Sequence, residues 1–192
     1  LDAVVSIPPR PPVVRNDYYD LHCLPVSYHP DVQIKEWVTH SESVSNPILV
    51  KEYITPAGNL RAEVQKTTDW KWGEHVPFLD DYIVPRSRRF LVNSPQDLPA
   101  LRYLLVPPSR LEIEKFKEDA APALQMARKH QLLVANGWGV GADLIGWISG
   151  LLKLIYDVYD RPDYIHELLD LIFRWNKTRM EVVLDCGIDL YI

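Results

Sequence analysis

The sequence predicts an α/β fold, and three stretches predict it. The apolar run Leu132–Ala135 leads into Gly137-Trp138-Gly139-Val140-Gly141, and an apolar helical pattern follows from Asp143 to Tyr159. A second helical pattern runs from Pro162 to Cys186, is ended by Gly187, and is followed by the short run Ile188-Asp189-Leu190-Tyr191-Ile192. Further upstream, a β-rich segment Ile48–Ile54 is joined to an alternating segment Leu60–Lys66 by Thr55-Pro56-Ala57-Gly58-Asn59. Strand, glycine corner, helix is a βα unit, and the glycines let backbone approach a ligand while leaving amide N–H groups free.

The two halves differ in punctuation. Fourteen of the 16 prolines precede residue 110, and six of the 8 glycines follow it. The first part is therefore expected to be rich in loops and extended pieces, the second regular. Pro8-Pro9, Pro11-Pro12, Pro25 and Pro30 exclude a helix over residues 1–30. The segment 1–47 is read as a proline-rich N-terminal extension, and 48–192 as the main domain, with the hairpin 48–66 as an elaboration at its rim. Pro56 and Gly58 supply the turn chemistry of that hairpin.

Helix signals begin at Ser94-Pro95-Gln96-Asp97, an N-cap with proline at the first helical position and an acid in the first turn. Leu98, Leu101, Leu104 and Leu105 give this segment one apolar face. Ser109 with Glu112 forms a capping box for the next helix, in which Pro122 is expected to kink or restart the chain. Leu132–Ala135 lacks alternation, as does a strand buried on both faces of a parallel sheet. Asp143 is placed to cap the helix after the glycine corner. Asp160-Arg161-Pro162 starts another, with Ile165, Leu168, Leu169, Ile172, Trp175 and Val183 toward one side. The two apolar runs are expected to be parallel strands joined by the helices between them.

Composition narrows the function classes. The net charge of −5, with acids and bases mixed, leaves no basic face for nucleic acid or a membrane. The stretch Leu132–Tyr156 is apolar, but Asp143, Lys153 and glycines interrupt it, so a buried strand and helix is the better reading. No signal peptide is visible. Two distant cysteines, Cys23 and Cys186, suit a reducing compartment, and the expected location is cytoplasmic.

The glycine run has the register G-x-G-x-G, not the dinucleotide fingerprint G-x-G-x-x-G. It reads as the rim of a substrate pocket or as a turn that needs glycine. Asp189 in an apolar strand either faces a pocket or pairs internally, because a buried lone carboxylate is costly. His22-Cys23, with Asp20 and His29, does not make a zinc site, since neighbours on an extended segment point apart. Arg86, Arg88 and Arg89 could clamp an anion or form a solvated face. No residue is assigned as catalytic, and no metal ligand is assigned.

From about Glu52 onward the chain resembles the uroporphyrinogen decarboxylase superfamily, most closely the branch with corrinoid-dependent methyltransferases. The resemblance is carried by Tyr53-Ile54-Thr55-Pro56-Ala57-Gly58-Asn59-Leu60, Ser94–Leu98, Val134–Gly137, Gly150-Leu151, Asp160–Asp163 with Leu168-Leu169, and Cys186–Asp189. It spans about 140 residues, and no single piece is specific. It implies part of a (β/α)₈ TIM barrel, a fold that usually takes about 250 residues, with its site at the carboxyl ends of the strands. The chain then reads as the N-terminal portion of a longer protein. The arginine-rich motif and early aspartate of the decarboxylases find no clear counterpart, and Gly146-Trp147 replaces an expected tyrosine.

The resemblance therefore implies an enzyme, foremost a methyltransferase moving a methyl group between a small methylated substrate and a corrinoid protein. A tetrapyrrole (uroporphyrinogen) decarboxylase is the alternative, and a non-catalytic barrel-derived interaction protein, using the aromatic segment 69–92, is a third. Asn136, Gly137, Trp138, Trp147 and Asp189 are the expected substrate-binding residues. No cofactor is assigned within the chain. Zinc, bound through residues beyond Ile192, and a partner-borne corrinoid belong to the full-length protein of this reading. The expected partners are the small substrate, a corrinoid protein and, as an open option, a second copy of the chain.

Overall fold

The computed structural model describes residues 24, 26–42, 44–136 and 141–191. Its larger sheet has four antiparallel strands in the order β1 (Gln33–Ser41), β2 (Val44–Thr55), β3 (Gly58–Gln65) and β4 (Ser87–Arg89). The remaining elements are α1 (Leu98–Leu101), α2 (Arg110–His130), β5 (Ala135–Asn136), α3 (Ala142–Ser149), α4 (Leu151–Asp160), α5 (Pro162–Asp185) and β6 (Leu190–Tyr191). β5 and β6 form a separate two-stranded parallel pair.

This corrects the expected TIM barrel. Four of the six strands form an antiparallel meander, the parallel strands number two, and no barrel closes among the described residues. The hairpin is present, with Ile48 opposite Gln65 and Thr55 opposite Gly58. It is the centre of the larger sheet rather than an elaboration at a rim. Gly58 takes φ +130°, where a side chain is strained. β1, which lies inside the segment read as a proline-rich extension, pairs with β2 along Gln33–Thr39. Its alternation is disguised because Glu36 occupies a position facing the core side of the sheet.

Period-2 alternation gives the meander two distinct faces. On one, Leu49, Lys51 and Tyr53 stand opposite Val64, Ala62 and Leu60, and all six are buried. On the other, Lys35, Glu52 and Arg61 line up across three strands with alternating charge. Beside them the Arg61 guanidinium lies 5.4 Å from the Trp37 ring centre.

The helices cover the first face. Tyr53, Leu60 and Ala62 pack in one core with Leu98, Leu101 and Leu104, with Leu144, Ile145 and Ile148 of α3, and with Ile165, Leu168, Ile172 and Trp175 of α5. A second core joins Leu24, Phe116, Ala127, Val134, Val183 and Ile188. The Ser109–Glu112 capping box forms, with Ser109 N–H donating to Glu112 Oε2 at 2.7 Å. α2 runs unbroken from Arg110 to His130 through Pro122, contrary to the expected kink. Asp143 lies in the first turn of α3 rather than capping it, and Gly141, at φ +69°, holds the cap position. The pattern read as one helix over Asp143–Tyr159 is broken at Gly150, whose φ is +83°. There an added Cβ would collide with the Phe90 ring.

Candidate functional site

Of the site residues expected from sequence, the structure describes Asn136, Trp147 and Asp189, and two of them lie at the parallel pair. Ala135 stands opposite Leu190, and Asn136 opposite Tyr191. Asp189 fastens the two segments. Its N–H donates to Val134 O at 3.0 Å, and its Oδ2 accepts from Val134 N–H at 2.9 Å. Asp189 is exposed and serves the backbone of the neighbouring segment, a role the sequence reading did not separate from pocket lining or side-chain pairing. Tyr191 Oη donates to Asn176 Oδ1 at 2.9 Å. Burial pushes the Tyr191 phenol above its usual range, and the Arg179 charge opposes the shift.

Asn136, half-buried, sits at the carboxyl end of β5. Its Oδ1 is buried and has no hydrogen-bond partner among the described residues. A buried carbonyl oxygen without a donor carries an unmet desolvation cost, so the position favours a ligand or water that donates to it. Gly137 and Trp138 lie outside the described residues, as do Asp20, His22 and Cys23. Trp147 is half-buried on α3. It lines a void of about 10 Å³ with Tyr53, Phe78, Ile83 and Leu91, under the antiparallel sheet. The void is the size of about one water. The structure thus brings Asn136 and Asp189 to one strand pair and sets Trp147 against the other sheet. Arg86 is held internally by Asp69, by Thr67 Oγ1 at 2.7 Å and by Tyr82 O at 3.0 Å.

A second site was missed from sequence. A cleft of about 770 Å³ opens beside the meander, between β1, the segment 26–30 and the residues leading into α2. Its lining includes two bonded groups, Glu36 with Lys51 and His75, and Glu112 with Ser27 and Ser109. Lys51 is 1% exposed, and its ammonium donates to Val76 O at 2.7 Å. Glu36 Oε1 lies 3.8 Å from Lys51 Nζ and accepts from Val76 N–H at 2.9 Å. Glu36 Oε2 is 2.9 Å from His75 Nδ1.

Electrostatics follow from this packing. Burial alone raises the Glu36 carboxyl, but the His75 hydrogen bond, the Lys51 charge and the Val76 N–H outweigh it, and the group ends below the usual range. Glu112 is likewise lowered against its own burial, by the Ser27 and Ser109 hydroxyls, the Ser109 N–H and the Arg179 charge. Ser27 Oγ donates to Glu112 Oε2 at 2.6 Å. Both carboxylates are ionised at neutral pH and already bonded to the protein. The available signal for this site was a lysine at the middle of the β-rich segment Ile48–Ile54, three residues from either end.

Among the described residues no three His, Cys, Asp or Glu side chains come together to hold a metal ion. Also among the described residues, no helix is long and apolar enough to cross a membrane. Comparison of the chain with protein-family models, curated proteins and solved structures found no match.

Proposed function

We propose that the protein is an enzyme related to the uroporphyrinogen decarboxylase superfamily, acting as a methyltransferase between a small methylated substrate and a corrinoid protein. The reading rests on residues, not on a closed barrel. The observation that carries it is the end of β5. There Asn136, a residue the resemblance expects to bind substrate, has a buried carbonyl oxygen with no hydrogen-bond partner among the described residues. Other residues that carry the resemblance lie at junctions that shape the chain. Thr55–Gly58 turns the central hairpin, Ser94–Asp97 opens the turn before α1, and Pro162 is the first residue of α5.

In this reading Asn136 accepts a hydrogen bond from the substrate and orients it. Asp189 keeps the two strand ends side by side. The partner's cobalt carries the methyl group, chemistry that a cofactor rather than a side chain supplies. A reducing, cytoplasmic setting goes with the free Cys186, whose thiol burial pushes above its usual range.

The test is methyl transfer from methylated alcohols, amines and thiols to cob(I)alamin, followed by the corrinoid absorption bands. Uroporphyrinogen is assayed in parallel for loss of carboxyl groups. Methyl transfer that drops about tenfold in Asn136→Ala, with the melting temperature retained, supports the reading. Absence of transfer, or transfer indifferent to Asn136, overturns it. Turnover of uroporphyrinogen without methyl transfer replaces it with the decarboxylase.

A further inference from the structure

α4 is an amphipathic helix mounted inside out. Its polar side faces the protein: Asp157 is 5% exposed, bonded to Lys153 and accepting from Arg161 Nε at 3.0 Å. Lys153 and Arg161 also lie 5.4 and 5.0 Å from the Tyr164 ring centre. Its apolar side faces outward. Leu151, Leu152, Ile155, Tyr156, Val158 and Tyr159 are all exposed, Leu152 by 68% and Tyr159 by 82%. A helix of a globular protein normally turns its apolar stripe to the core, so this orientation calls for cover. The six side chains offer on the order of 800 Å², more than the largest apolar patch of an ordinary monomer and about what one partner brings to a standard interface.

We propose that this stripe is the contact surface of a symmetric dimer, with α4 of one copy packed antiparallel on α4 of the other. Self-complementarity is written in the helix. Its first turn has no acidic residue and no side-chain cap, while its last residue is Asp160. An acid at a helix's own C-terminus is unfavourable, and beside another helix's N-terminus it is favourable. Antiparallel pairing centred between Ile155 and Tyr156 brings Asp160 level with the first turn of the partner helix, on the opposite flank of the seam from the partner's Leu151. It also sets Tyr159 beside Leu152, and Ile155 against Tyr156. Each patch then meets itself, as a two-fold interface requires. A lipid surface fits less well. The basic groups of α4 are engaged by Asp157, and an interfacial helix uses such groups at its polar rim.

The test is sedimentation equilibrium of the chain from about 1 to about 100 µM, a range that reads micromolar dissociation constants. A species of twice the 22.2 kDa chain mass is expected. Leu152→Glu and Tyr159→Glu should weaken the dimer about tenfold or more with an unchanged circular dichroism spectrum, since both side chains are exposed. Leu151→Lys, which lies level with the partner's Asp160 in this register, should be tolerated better than Leu151→Asp. A monomer throughout, or a dimer untouched by the α4 variants, overturns the proposal. A monomer that floats with anionic vesicles overturns it in favour of lipid. Equal loss in Leu151→Lys and Leu151→Asp overturns the antiparallel register.

Discussion

Glu36 and Lys51 stand directly opposite each other across the β1–β2 ladder, on the face turned to the core, with 3.8 Å between Oε1 and Nζ. Lys51 is nearly inaccessible, whereas the Glu36 side chain keeps 30% exposure toward the cleft. The carboxylate therefore compensates a buried cation from the wet side, and it also fixes His75 and the Val76 backbone.

That geometry sets an acid limb of stability. In the folded chain the Glu36 carboxyl is held below its usual range, with the His75 hydrogen bond, the Lys51 charge and the Val76 N–H outweighing burial. A carboxyl with a depressed folded value stabilises above its unfolded value, and the contribution is lost as pH falls through the folded one. Denaturant titrations from neutral pH downward should show wild type losing stability below the ordinary glutamate range. Glu36→Gln should start lower by about 1–3 kcal/mol and fall less, because Lys51 has lost its carboxylate at every pH. Asp69, Glu112 and Asp157 are lowered too, so the difference between the two proteins isolates Glu36. Parallel curves would remove the assignment.

Gly150→Ala should be among the most damaging single-methyl changes in the chain. The residue combines φ +83° with a Cβ position that overlaps the Phe90 ring. Positive φ for a non-glycine residue costs about 1–3 kcal/mol, and forcing a methyl into packed space adds a similar amount. Thermal unfolding should shift downward, and Phe90→Ala in the same background should relieve the clash but not the backbone strain. An unchanged melting temperature in Gly150→Ala would show that α3 and α4 do not meet at this corner.

Asp189 should act through the strand pair it fastens. Asp189→Asn keeps an acceptor for Val134 N–H and should cost about 1 kcal/mol. Asp189→Ala leaves that N–H, on a buried residue, unmatched and should cost up to about 3 kcal/mol. Amide exchange at Val134 should rise in the same order. In the methyl-transfer assay, turnover per folded molecule should survive Asp189→Asn. A collapse of turnover with unchanged exchange would return Asp189 to the substrate.

Local signals proved legible where one short stretch decides its own conformation. Thr55–Gly58 dictates a hairpin turn, Ser109–Glu112 a helix start and Pro162 another. The parallel partnership of β5 with β6 also followed from the order of the runs. What stayed hidden depends on partners far along the chain. β1 carries Glu36 at an inward position, which spoils its alternation until Lys51 is known to sit opposite. The Lys51 cleft is assembled from strands, a loop and a helix start that no local pattern links. Closure of a barrel was an inference from resemblance, and the antiparallel pairing of the proline-rich half is set by tertiary contacts instead. The outward face of α4 was invisible for a related reason: periodicity shows that a helix has an apolar side but not which way it turns.

The facing of Glu36 and Lys51 also settles how β1 may slide. A one-residue slip would turn each β1 side chain to the opposite face. A two-residue slip keeps inside in and outside out, so hydrophobic patterning alone would tolerate it. In that slip Lys51 would face Ile34 or Val38 instead of Glu36, leaving a cation with 1% exposure and no carboxylate across from it. On the reverse face the same slip would dissolve the Lys35–Glu52–Arg61 row. The ion pair thus works as a positional latch on an edge strand, excluding misaligned sheets that would look, by apolar burial, almost as good as the native one.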